Sequence, residues 1–263
     1  MAGKTKSITM LQSYIADRRK HQDLLLMTHI VIGYPSLSAS LEIVDAMVEA
    51  GVDVMELQVP FSEPIADGPV ILRANQHALT NKIRVDDCFG FAETVSKRHP
   101  IPFLFMGYYN SLLARGVERF VVQMADCGLK GAIIPDLPPE EATLYLSAMQ
   151  EQSLDPIFIF SPNSPDERMQ LIAQYAKGFV YCVARKGVTG MATDFTRELD
   201  GYLARCRAAT NLPLALGFGV RDANDIRYLR GKVDMAVVGS ESIRVVDAHG
   251  VAALPAFIQS LRS

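Results

Sequence analysis

No stretch of the chain approaches the ~18 consecutive apolar residues of a membrane span, and residues 1–20 lack the apolar block of a secretion signal. The cytoplasm is therefore the expected compartment. Cysteine is sparse: Cys88, Cys127, Cys182 and Cys206 lie far apart without CxxC spacing, and five histidines (His21, His29, His77, His99, His249) are equally dispersed. Neither a metal site nor a disulfide framework is expected. No block of like charge runs five residues or more and the net charge is −3, so nucleic acid and membrane surfaces are not expected partners. No linker or shift in composition divides the chain, and residues 1–263 are expected to form one domain.

What is present is the composition of an ordinary globular protein, 49% hydrophobic and 21% charged. Apolar periodicity predicts strands near 24–32, 53–58, 101–106, 131–134, 156–160, 179–183, 212–216 and 233–238. Helical patterns fall over 7–20, 38–50, 70–80, 86–98, 117–127, 139–152, 166–176, 194–208, 222–230 and 248–262, with Pro255 placed to kink the last. Regular βα alternation implies a parallel sheet. Eight units in 263 residues favour a closed (β/α)8 TIM barrel, a fold of ~250 residues, over an open doubly wound sheet. The segment before strand 1 adds an extra N-terminal helix.

The stretch from Val54 to Pro69 begins as a strand and ends as a loop. Alternation puts Met55, Leu57 and Val59 on a face that packs under helices, and Val54, Glu56 and Gln58 on the other. Glu56 thus points into the barrel mouth, where a merely structural charge is costly. Asp67 follows in an Ala-Asp-Gly-Pro turn, and local sequence alone favours reading it as a turn acid. One carboxylate on a rigid strand and one on a loop suit acid/base chemistry on a bound small molecule, with the loop acid expected to face solvent and stay ionised.

In a barrel of this kind substrates bind at the C-terminal ends of the strands, and the last loops often hold a phosphate. Glycine turns stand there: Gly187-Val188-Thr189-Gly190 after strand 6, Gly217-Phe218-Gly219 after strand 7, and Gly239-Ser240 after strand 8, opening a short helix. Glycine admits close approach of backbone N–H groups to an anion and a helix N-terminus adds its dipole, although glycines also simply end strands. Tyr181 and His29 share the inward parity of their strands, and each also reads as a core residue. Asp136, ending strand 4, also reads as a turn or capping acid.

The segment Met55-Glu56-Leu57-Gln58-Val59-Pro60-Phe61-Ser62-Glu63-Pro64-Ile65-Ala66-Asp67-Gly68-Pro69 resembles the signature of the tryptophan synthase α subunit family, L-E-L-G-x-P-F-S-D-P-x-A-D-G-P. Tyr108-Tyr109-Asn110, Pro135-Asp136-Leu137-Pro138, Arg185-Lys186-Gly187-Val188-Thr189-Gly190, Gly217-Phe218-Gly219 and Gly239-Ser240 extend the likeness, in order, over essentially the whole chain. The resemblance implies a lyase of tryptophan biosynthesis that splits indole-3-glycerol phosphate into indole and glyceraldehyde 3-phosphate by a retro-aldol reaction, with no cofactor of its own. It implies Glu56 as the acid/base at the ring carbon and hydroxyl, Asp67 as the acceptor of the indole N–H, and Tyr181 beside the reacting centre. Gly190, Gly219, Gly239 and Ser240 match the phosphate cradle. Phe218, Tyr108, Thr189 and His29 fall at the indole pocket and its closing loop. The implied partner is a β subunit carrying pyridoxal phosphate, in an αββα assembly, met by Phe61, Ser62, Glu63, Pro64 and Asp136.

Several positions depart from the family pattern. Gln58 stands for glycine, Glu63 for aspartate, His29 for phenylalanine, Val31 for threonine, Tyr34 for aspartate and Leu72 for glutamine. Both carboxylates and the glycine turns are kept. The departures leave open a second role, a subunit of low turnover that mainly binds the phosphate ligand and activates a β partner. An indole-3-glycerol phosphate synthase is disfavoured, since no strand-end lysine has the required spacing.

Overall fold

Each of the eight apolar runs forms a short strand, and each strand pairs in parallel with the next until the last meets the first. A computed structural model of the chain describes residues 9–184, 192–217 and 219–262, with side chains for all of these but 192–196. The strands are β1 (Leu25–Val31), β2 (Val54–Gln58), β3 (Phe103–Met106), β4 (Gly131–Ile133), β5 (Asp155–Phe160), β6 (Val180–Val183), β7 (Leu214–Gly217) and β8 (Met235–Val238). Closure is made by β1 against β8, where Leu25 lies beside Met235 and Thr28 beside Val238. The expected closed barrel is the fold observed.

Alternation sorts the side chains into two layers, as the period of 2 requires. Met55, Leu57 and Val59 pack outward against the helices. Val54, Leu104, Phe179 and Met235 point inward and fill the barrel. Helix α1 (Met10–Arg19) closes the floor by burying Leu11 and Ile15 against that inner layer, a contribution of about 1.5–3 kcal/mol per side chain. It starts at a capping box in which Thr9 and Gln12 satisfy each other's backbone amides. Beneath the strands, buried Asp53 binds Arg18 of α1 at 2.6 Å and Arg262 at the end of the last helix at 2.8 Å. It also accepts the β1 amide of Leu26 at 2.9 Å.

Helices α2 (Leu37–Glu49), α3 (Pro69–Thr80), α4 (Val85–Arg98), α6 (Val117–Asp126), α8 (Asp166–Tyr175), α9 (Ala192–Ala209) and α10 (Ala223–Leu229) fall where periodicity put them. Three differences have physical causes. A seven-residue helix, α5 (Tyr109–Arg115), too short to show a period, follows β3. The helix expected over 139–152 breaks at Ala142 into a 3-10 turn and α7 (Thr143–Glu151). The short helix expected after strand 8 is α11 (Ser240–His249), while the closing helix expected over 248–262 begins only at Leu254, as α12 (Leu254–Arg262), because Gly250 has a φ of +77° that no helix accommodates. Pro255 therefore lies in the first turn of α12, where its missing N–H costs nothing, and it makes no kink. No helix among the described residues is long and apolar enough to cross a membrane. The four cysteines are free thiols.

Candidate active site

At the C-terminal ends of the strands the inward-facing positions run out of large apolar side chains and a cavity of about 260 Å³ opens. Its floor and walls are apolar, from Met106, Ile133, Ile159, Val183 and Val237 together with Ile71 of α3. Its polar groups are His29, Glu56, Asp67 and Tyr181, and its rim includes Gly219, Gly239 and Ser240. His29, Glu56, Tyr181, Gly219, Gly239 and Ser240, which alternation and the glycine turns single out, thus share one space with Asp67. Thr189, Gly190 and Phe218 lie outside the described residues.

The register of β1 on β2 sets His29 beside Glu56 and Val31 beside Gln58. Glu56 is buried, and its Oε1 lies 2.9 Å from His29 Nδ1. Glu56 Oε2 and His29 Nε2 have no hydrogen-bond partner among the described residues. Burial opposes an imidazolium at His29, yet the bond to Glu56 and the charges of Glu56 and Asp67 outweigh it and move the His29 pKa upward.

Two residues on from Glu56, Gln58 has the same inward orientation, and its Nε2 donates to Asp67 Oδ2 at 2.6 Å. The Tyr108 hydroxyl donates to the same oxygen at 3.1 Å and accepts the Ala66 amide at 3.1 Å. The Asp67 loop is therefore bound back over the mouth. The expectation that Asp67 faces solvent does not hold: it is half-buried, and burial raises its pKa, against the pull of the His29 charge and the bonds from Gln58 and Tyr108. Tyr108 itself is buried beneath the loop, stacked on Phe61 with centroids 4.9 Å apart, and reaches the cavity lining through Ala66 and Asp67.

Tyr181 crosses the cavity from β6. Burial and the neighbouring charges of Glu56 and Asp67 push its pKa well above that of a free phenol, so the hydroxyl is a neutral donor. Its ring fits because β7 carries Gly217 opposite: a Cβ there would stand 2.9 Å from both the Tyr181 hydroxyl and Cε1. On the far rim, Gly239 caps α11 and Ser240 begins it, which directs the helix N-terminus at the cavity. Gly219 adds a left-handed residue, φ +80°, with no atom of the described residues beyond its chain neighbours within 4 Å of where a Cβ would stand. The amide donors that begin this ten-residue helix, beside such a turn, can hold an anion.

Of the residues expected at a partner surface, Ser62 and Glu63 are exposed, Phe61 is half-buried and Pro64 is buried. The neighbouring Ile65 is 80% exposed, a large apolar side chain left in water at the mouth. Asp136 is exposed and accepts the Tyr109 amide at 2.9 Å, so it also caps the start of α5. The role of Gln58 toward Asp67 was not assigned from sequence, although its inward parity was the available signal. The apolar walls were not singled out either, although Met106, Ile133, Ile159, Val183 and Val237 stand at inward positions near strand ends; Ile71 comes from α3 and carried no such signal.

The sequence matches the family model described as "Tryptophan synthase alpha chain" over residues 15–256. It is 61% identical over 253 residues to the tryptophan synthase alpha chain of Syntrophotalea carbinolica, covering 96% of this chain and 100% of the relative. The corresponding chain of Desulforapulum autotrophicum is 62% identical over 252 residues, with 96% and 100% covered. Among solved structures, a chain of Mycobacterium tuberculosis tryptophan synthase matches with a TM-score of 0.89 at 32% identity over 97% of each chain. Tryptophan synthase subunit alpha of Legionella pneumophila matches at 0.88 and 29% identity, over 97% of this chain and 98% of that one.

Proposed function

The chain belongs to the tryptophan synthase alpha chain family, lyases of tryptophan biosynthesis that cleave indole-3-glycerol phosphate, and from that premise we propose how its cavity divides the labour. The observation that carries the assignment is that Glu56 and Asp67 line one apolar cavity whose rim holds the N-terminus of α11. An indole ring between the apolar walls, with its phosphate at Gly219, Gly239 and Ser240, sets the reacting carbons beside Glu56.

The reaction moves one proton. Glu56 protonates carbon 3 of the indole, and the ring nitrogen takes up the positive charge. Asp67, held by Gln58 and Tyr108, accepts the indole N–H and stabilises that charge. The bond from carbon 3 to the glycerol side chain then breaks. Its electron pair restores the aromatic ring, while the side-chain hydroxyl gives its proton to Glu56 and becomes the aldehyde. The proton returned equals the proton spent, so the acid is regenerated. Tyr181, neutral and adjacent, supports the Glu56 carboxyl.

Glu56→Gln tests this reading. Indole release should fall by about 10²–10⁴-fold, while calorimetric binding of indole-3-glycerol phosphate is retained. Turnover close to that of the unaltered protein would refute the assignment. A subunit that merely activates a partner is not favoured, since both carboxylates reach the cavity and 61% identity to an alpha chain spans 96% of the sequence.

We further propose a cytoplasmic enzyme with no cofactor of its own, docked on a β subunit that carries pyridoxal phosphate in an αββα assembly. Phe61, Ser62, Glu63, Pro64 and Asp136 would form part of the contact. Covering the mouth there would exclude water and retain indole. Thr189 is proposed to orient Asp67 when its loop closes, Gly190 to join the phosphate cradle, and Phe218 to form a wall of the indole pocket.

A further inference from the structure

The described residues lining the cavity include two carboxylates, Glu56 and Asp67, and neither lysine nor arginine. His29 is the one described lining residue able to carry positive charge, and it stands where the family pattern has phenylalanine. Both partners of the His29–Glu56 pair are almost completely buried, at 2% and 3% exposure, so water does little to screen them. The other groups around the ring are Gln58 on β2, Val237 and Gly239 at the end of β8, Ile71 on α3, Ser242 and Ile243 on α11, and Tyr181 opposite. Of these Tyr181 titrates and stays neutral; the Asp67 carboxylate also acts on the ring through its charge, and the Tyr34 phenol, its pKa raised by burial, lines the adjoining space with His29.

We propose that His29 is a positioning residue that shares one proton with Glu56, keeping the acid supplied at neutral pH and leaving Oε2 free for the substrate hydroxyl. A lone glutamate, with an ordinary pKa of about 4.3, is almost wholly ionised at neutral pH and has no proton to give. Pairing changes the inventory. Imidazolium with carboxylate and imidazole with carboxylic acid hold the same number of protons, and the dyad retains that proton to a pH set by the histidine. In turnover the Nδ1–H bond breaks as an O–H bond forms on Glu56, and the carboxyl so formed protonates carbon 3. The substrate hydroxyl then returns a proton through Oε2 and the dyad recovers its starting charge. The identity of the proton's destination rests on the lyase reading; the pairing itself does not.

The test joins a spectroscopic titration to a pH profile, both on the full chain. The imidazole of His29, followed by ¹⁵N NMR, should titrate above an ordinary histidine, and Glu56→Gln should bring it down. In indole release from indole-3-glycerol phosphate, His29→Phe should move the alkaline limb of kcat to lower pH with KM nearly unchanged. The loss at a given pH is then roughly tenfold for each pH unit the limb moves. His29→Asn, which offers a donor near the position of Nδ1 but no titrating proton, should restore thermal stability without restoring the limb. An imidazole titration indifferent to Glu56→Gln, or a His29→Asn profile that overlays the unaltered one, would overturn the proposal. Absence of indole from the unaltered protein would instead refute the lyase reading, and the NMR comparison would still decide the pair.

Discussion

Gly217→Ala is the smallest change the active site should be unable to absorb. The added carbon would stand 2.9 Å from the Tyr181 hydroxyl and Cε1 and 3.2 Å from Cζ, all well inside van der Waals contact. A phenol ring has no flexible end with which to retreat, so either the ring swings or β7 shifts. Overpacking of this kind costs about 1–3 kcal/mol. Expressed wholly in the barrier, that is roughly a five- to 160-fold loss in kcat. Displacement of the hydroxyl by about 1 Å relative to Glu56 would cost a comparable ~10²-fold. Gly201→Ala on α9 supplies the control. It adds the same methyl with no atom of the described residues outside its own helix within 4 Å and should gain about 0.5–1 kcal/mol as a helical glycine replaced by alanine. Steady-state indole release and thermal melts on both variants are sufficient. If Gly217→Ala matched Gly201→Ala in turnover and melting temperature, the claim that Tyr181 is wedged against β7 would be wrong.

Tyr108→Phe keeps the stack on Phe61 but removes the bond to Asp67 and strands the Ala66 amide, so kcat should drop by about fivefold or more, for ~1 kcal/mol lost, in the same indole assay. Asp155, almost fully buried at the foot of β5, has its pKa pushed up to about 6 by burial, against the Thr9 hydroxyl bond and the Lys177 charge. A carboxyl raised in the fold favours its protonated form. Its effect on stability is therefore least adverse below pH ~4 and worsens as pH rises through about 6, by at most about 3 kcal/mol. Asp155→Asn should flatten that decline in melts taken between pH 4 and 7; a parallel decline in both proteins would contradict the burial argument.

The barrel was legible because alternation is a local property of each strand. Glu56, Gln58, His29 and Tyr181 could all be placed inward from parity alone, and the glycines after strands 7 and 8 marked the rim. Parity does not say which residue of one strand lies beside which residue of the next. The His29–Glu56 pairing depends on the register of β1 against β2, a tertiary fact fixed by closure of the whole sheet. Loops gave less still. Nothing in Ala66-Asp67-Gly68 indicates that Tyr108, 41 residues on, folds the turn back and half-buries the acid. The break at Gly250 was missed since the apolar positions on either side continue in phase, and glycine is tolerated in a helical pattern until its φ is known.

Asp53 ties together parts of the chain that synthesis makes far apart in time. One arginine comes from the first described helix and the other from the last, separated by 35 and 209 residues from the carboxylate they share. Until both arrive, the base of β2 holds a charge stripped of water with only part of its compensation. The two helices therefore have a mutual interest in staying docked: fraying of either one weakens the anchorage of the other, and the cylinder behaves as a clasped ring, not a row of independent staves.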